Sequence, residues 1–117
     1  MFIALVIASV LIAAMCASSA SLKLRKDERS VAVISGTVGV PLRFFPVLAA
    51  LELAGAAGVL IGLWLEPLAV AAAAGLVVYF VGAVVGHLRV GDTKGLTMPL
   101  LPLVLSVAVL ALRIATL

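Results

Sequence analysis

The stretch that most constrains this chain runs from Leu48 to Leu65, LAALELAGAAGVLIGLWL, and contains a single ionisable residue, Glu52. An apolar run of this length reads as a membrane-spanning helix, since at ~1.5 Å rise per residue about 20 residues cross a hydrocarbon core of roughly 30 Å. A carboxylate inside such a helix costs roughly 2.5–3.5 kcal/mol at the centre on insertion scales, so it faces protein or water, finds a partner and marks function. Glu52 is about 9 Å inside the helix end if the helix starts near Pro46, too deep for its short side chain to reach the headgroups. The sequence therefore predicts that Glu52 points into the bundle, with Tyr79, His87, an arginine or a ligand as its partner. The alternative is a buried hydrogen bond that only holds helices together.

The rest of the chain supports a membrane assignment. Of its 117 residues, 66% are hydrophobic and 11% charged, at a mean hydropathy of +1.42, whereas about a quarter of residues are charged in soluble domains. The length allows one all-α domain, an integral membrane four-helix bundle, and no separate soluble catalytic module. Four helices are expected at about 1–22, 46–65, 68–87 and 98–116. The first run could be mistaken for a signal peptide, but its basic residues, Lys23, Arg25 and Lys26, follow the apolar stretch instead of preceding it. The single cysteine, Cys16, excludes an internal disulfide and a CxxC centre.

Between helices one and two, residues 30–40 are apolar but too short to span. With Gly36 and Gly39 they suggest a short interfacial or re-entrant segment. Glu66-Pro67 reads as the tight turn after helix two, Trp64 as an interfacial anchor, and Thr97 as the N-cap of helix four, with Pro99 in its first turn. Helix two carries Gly55, Gly58 and Gly62. Helix three carries Gly75, Tyr79, Gly82 and Gly86 at intervals of four, three and four, so two small-residue faces are expected to pack closely as an antiparallel hairpin.

Charge placement predicts orientation. Lys23, Arg25, Lys26, Arg29 and Arg43 fall in the first loop, and Arg89 and Lys94 in the third, which places seven of the eight basic residues on one side. The positive-inside rule makes that side cytoplasmic, so both termini should face outward from an inner (plasma) membrane. Arg113, near the far end of helix four, is expected to snorkel to the outer interface. The net charge of +3 has no basic cluster interleaved with aromatics, so it indicates anionic lipid and topology, with no nucleic-acid partner.

The candidate chemistry gathers toward the basic side. Glu52 and His87, at depths differing by roughly 9 Å along their helices, together with Tyr79, Arg43 and Arg89, could line one cavity roofed by residues 30–40. An apolar pocket with a few converging polar groups is the usual form of a small-ligand site. Each residue also has a plain structural reading: His87 as an interfacial hydrogen-bonding group, the arginines as headgroup anchors, Tyr79 as a packing aromatic. One His, one Cys and one buried Glu do not supply a metal site, and no phosphate loop, dinucleotide fingerprint or nucleophile–base motif is present.

The string GVP…P…LELAGAAGVLIGL over 39–63, followed by PLAVAAAAGLVVYFVGAVVGHLRVGD over 67–92, resembles the DoxX-like family of small bacterial four-helix membrane proteins. The most specific marks are Glu52 with Leu53 and Gly55, and His87 with Arg89 and Gly91-Asp92. The resemblance implies a four-helix bundle and a link to membrane redox chemistry, since the family's namesake is a subunit of a thiosulfate:quinone oxidoreductase. It also admits an assembly role, because a vertebrate relative assists assembly of a neurotransmitter receptor. No cofactor is fixed by the residues, and a quinone is the candidate. The reading that follows is an accessory or ligand-binding protein holding a quinone-like or lipidic molecule, or a partner complex, around Glu52. The alternatives are a small membrane enzyme using Glu52 and His87 for acid–base work on an apolar substrate, and an assembly factor or homo-oligomer built on glycine faces.

Overall fold

The protein is described by a computed structural model that covers residues 2–28 and 31–116. Arg29 and Ser30 lie outside the described residues. Helix α1 spans Phe2–Leu24, α2 spans Phe45–Ile61, α3 spans Glu66–Arg89 and α4 spans Thr97–Ala115. A π-helical stretch, Val31–Thr37, and a 3₁₀ turn, Leu42–Phe44, occupy the long first connection, and a second 3₁₀ turn, Lys94–Leu96, precedes α4. Among the described residues there is no strand, and the four long helical segments are each apolar enough to cross a membrane. The fold is the expected four-helix membrane bundle.

The helices form a closed ring in which α1 packs on α2 and α4, and α3 packs on the same two. The α1–α2 interface is the most extensive of the four. At the centre Leu5, Ile12, Cys16, Val59, Leu76, Phe80 and Val109 are buried against one another. Large apolar residues such as Ile3, Ile7, Val78 and Val104 point outward, which suits a chain whose solvent is hydrocarbon. Trp64 is 82% exposed at the short turn joining α2 and α3.

Local sequence sets the helix ends, with some departures from expectation. Glu66 and Pro67 form the first turn of α3 instead of the turn before it. Both fit that role, because Pro lacks an N–H where none is needed and a carboxylate suits the positive end of the helix dipole. Thr97 does not cap α4. The N-cap position is Leu96, whose backbone is already helical, and no side chain caps it, since the Lys94–Leu96 turn runs directly into the helix. Pro102 lies inside α4, and Ser106 Oγ donates to its carbonyl at 2.7 Å.

The α2–α3 hairpin is close, but only one of the two glycine faces makes it so. A Cβ on Gly62 would lie 2.5 Å from Ala69 Cα and Cβ, one on Gly58 2.5 Å from Ala72 Cβ, and one on Gly55 2.3 Å from a Leu76 methyl. The facing stripe on α3 is thus Ala69, Ala72 and Leu76, continued by Tyr79. Gly75 and Gly82 do not meet α2: a Cβ on either would have nothing within 4 Å among the described residues. Gly75 sits one residue before Leu76, and one residue turns a helix by about 100°. Gly86 instead faces Val38 of the first connection, where a Cβ would come to 3.1 Å.

Candidate functional site

Glu52 lies on the inward face of α2, with Gly55, Ala56 and Val59, and is 0% exposed. Its neighbours come from two other helices. Lys23, one residue before the end of α1, donates from Nζ to Glu52 Oε1 and to Ser19 Oγ, the latter at 2.6 Å. Ser19 Oγ and Tyr79 Oη each reach the same Oε1 at 3.2 Å. One carboxylate oxygen therefore receives three donors, while Oε2 has no hydrogen-bond partner among the described residues. This buried cluster ties α1, α2 and α3 together.

The geometry of Lys23 follows from helix direction. Side chains on an α-helix lean toward its N-terminus, so a lysine at the C-terminal end of α1 directs its ammonium back into the bundle instead of out to the headgroups. Its four-carbon stem covers the depth that separates it from Glu52. A buried ion pair of this kind adds little net stability, because desolvation offsets the attraction, but removing one partner strands the other charge.

Sequence reading did not identify Lys23 or Ser19 as site residues, having used Lys23 only as a marker of topology. A signal was present: Leu5, Ser9, Ile12, Cys16, Ala20 and Lys23, six of the eight buried positions of α1, recur at steps of three and four and carry the lysine onto the inward stripe.

His87 has a different partner from the one expected. Its Nδ1 lies 2.7 Å from Asp92 Oδ2, and Asp92 Oδ1 accepts the Gly95 N–H at 3.1 Å. The trio clasps the end of α3 to the turn before α4. A Cβ on Gly95 would lie 2.2 Å from Asp92 Oδ2 and 2.9 Å from His87 Nδ1, so the clasp requires glycine there. The His87 hydrogen bond, aided by the Gly95 N–H, holds the Asp92 carboxyl below its ordinary value.

A cleft of about 1150 Å³ opens at this end of the bundle, larger than the roughly 300–1,000 Å³ of ordinary ligand pockets. Its walls are mostly apolar, with Val33, Ile34 and Val38 contributed by the first connection, and Leu48, Phe80 and Met98 by the helices. Ser18, Ser19, Lys23, Glu52, Tyr79, His87, Arg89 and Thr97 are its polar members. Arg43 is not among them: its guanidinium stacks over the Phe44 ring at 5.0 Å, and Phe44 is the residue on the wall. At the other end of the bundle Arg113 does not extend outward. It is buried and pairs with Glu66, Nη2 to Oε1 at 3.2 Å, because Glu66 opens α3 beside the last turn of α4.

The profile of the DoxX-like family matches residues 7–109. The chain belongs to the DoxX-like family. No curated protein and no solved structure matches it.

Proposed function

We propose that this DoxX-like protein holds an apolar molecule with a polar head, quinone-like or lipidic, in the cleft beside Glu52, and serves as an accessory membrane protein. The observation that carries this reading is the meeting of a large apolar cleft with a buried carboxylate and ammonium and a half-buried phenol on its wall. The residues present fit a quinone: apolar walls suit an isoprenoid tail, and Lys23 keeps one N–H beyond those given to Glu52 and Ser19 that could serve a ring carbonyl. A bound quinone would supply two-electron redox chemistry, while the chain's own part is to bind and orient it. Arg89 at the mouth and Glu52 within the wall are the residues expected to contact or position the guest. His87, clasped by Asp92, and Arg43, stacked on Phe44, would act indirectly.

Acid–base catalysis by Glu52 and His87 together is not favoured, since Lys23 and Asp92 hold them separately. The excess of Lys and Arg at the cleft end supports placing that end in the cytoplasm, with both termini outside.

The test is purification in mild detergent followed by mass spectrometry of the co-purified small molecules. Enrichment of one quinone or lipid over the bulk extract is expected. Repeated purification with no enriched molecule would overturn the ligand reading.

A further inference from the structure

The basic side chains around the cleft differ in whether they already have a partner. Lys23 is paired with Glu52, and His87 with Asp92. Arg89, in the last turn of α3, is exposed and lines the cleft, yet it has no ion pair or hydrogen bond among the described residues. The surrounding end of the bundle has the same sign: its described residues include six Lys and Arg, at 23, 25, 26, 43, 89 and 94, against four Asp and Glu, at 27, 28, 52 and 92. Below Arg89 the cleft is walled by Val38, Phe80 and Met98.

We infer that the cleft takes an anionic acyl lipid, with the carboxylate or phosphate of its head on the Arg89 guanidinium and its tail between the helices. This rests on the proposed cleft reading and sharpens it, because it gives the guest a charge. A guanidinium offers a planar fork of N–H donors that matches either oxyanion, and such charge-assisted bonds are roughly twice as strong as neutral ones. A neutral guest would fill the apolar space and leave that fork unanswered. The tail runs toward Tyr79 and Glu52, whose cluster is closed on itself by Lys23 and so presents no net charge to hydrocarbon.

The experiment uses the whole chain in a non-ionic detergent, titrated with four probes and read by native mass spectrometry. The probes are oleate, dioleoyl phosphatidylglycerol, dioleoyl phosphatidylcholine and decylubiquinone. At least one of the two anionic probes should bind about tenfold more tightly than the zwitterionic lipid, and preference for oleate or for phosphatidylglycerol says whether a free fatty acid or a phospholipid is the source.

Arg89→Gln should remove that preference, Arg89→Lys should retain most of it, and Arg25→Gln, away from the cleft wall, should leave it unchanged. Thermal midpoints measured without added lipid verify that Arg89→Gln remains folded. If the neutral probes bind as tightly as the anionic ones, or Arg89→Gln keeps the preference, the inference fails while the cleft reading stands. If none of the four binds, both fail.

Discussion

The two ends of this bundle solve the same problem in opposite ways. At the end where residues 62–65 join α2 to α3, the helices touch through backbone: Gly62 rests against Ala69, and each neighbour is within reach of a short turn. At the end with the long 25–44 connection the helices leave a cleft of about 1150 Å³, walled in part by that connection itself. Each end also pairs a buried lysine or arginine with a carboxylate, but the carboxylates differ in burial. Lys23 and Arg113 are both buried, at 7% and 5% exposed, while Glu52 is 0% exposed and the Glu66 side chain is 52% exposed. Removing Lys23 therefore strands a buried charge, whereas removing Arg113 leaves a carboxylate that is already half exposed.

The largest effect should come from Lys23→Met, which strands Glu52 and should cost about 3–5 kcal/mol, read as a fall in thermal midpoint in detergent. Adding Glu52→Leu should restore most of that loss, since the apolar pair removes the desolvation cost along with the attraction. Glu52→Leu alone should be milder, because Lys23 can swing toward the headgroups. A double variant no more stable than Lys23→Met alone would break the comparison.

The packing contrast comes next. Gly62→Ala forces a methyl against the Ala69 backbone and should cost about 1–3 kcal/mol. Gly75→Ala, where the methyl meets nothing within 4 Å, should be neutral or gain up to about 1 kcal/mol in helix propensity. Equal midpoints for the two variants would show that the turn end is not the tight one.

Arg113→Met should cost less, on the order of 1 kcal/mol or below, because the Glu66 carboxylate left behind is half exposed. A loss matching that of Lys23→Met would remove the asymmetry between the two ion pairs.

The smallest effect concerns the His87–Asp92 clasp. Asp92 is held below its ordinary value when folded, so its contribution is complete above the unfolded value of about 3.9 and disappears as pH falls through the folded one. Stability measured against pH should thus lose this component only below about pH 4. Asp92→Asn should lack that acid-side dependence, and an identical pH profile in the variant would show that the clasp does not matter.

Much of this was legible in the chain because membrane insertion is dictated by summed apolar transfer, which sequence carries directly. The four helices, their alternating direction and the inward position of Glu52 all follow from run length and from the cost of a carboxylate in hydrocarbon. The contact stripe of α2 was legible for the same reason, since Gly55, Gly58 and Gly62 recur at helical spacing. Tyr79 also reaches Glu52, as its spacing on α3 allows.

What only tertiary structure decided is who meets whom. Helix phase differs by about 100° between adjacent residues, so whether α3 turns Gly75 or Leu76 toward α2 depends on packing against three neighbours at once. The same holds for the charges. Lys23 looked like a headgroup marker because its number places it after the apolar run, yet the N-terminal lean of helical side chains and the closeness of α1 to α2 carry its ammonium to Glu52. His87 found Asp92 five residues on, across a turn whose shape depends on Gly95 having no side chain. Hydrophobic transfer is a property of each residue and can be added along the chain, whereas a partner is a property of the fold.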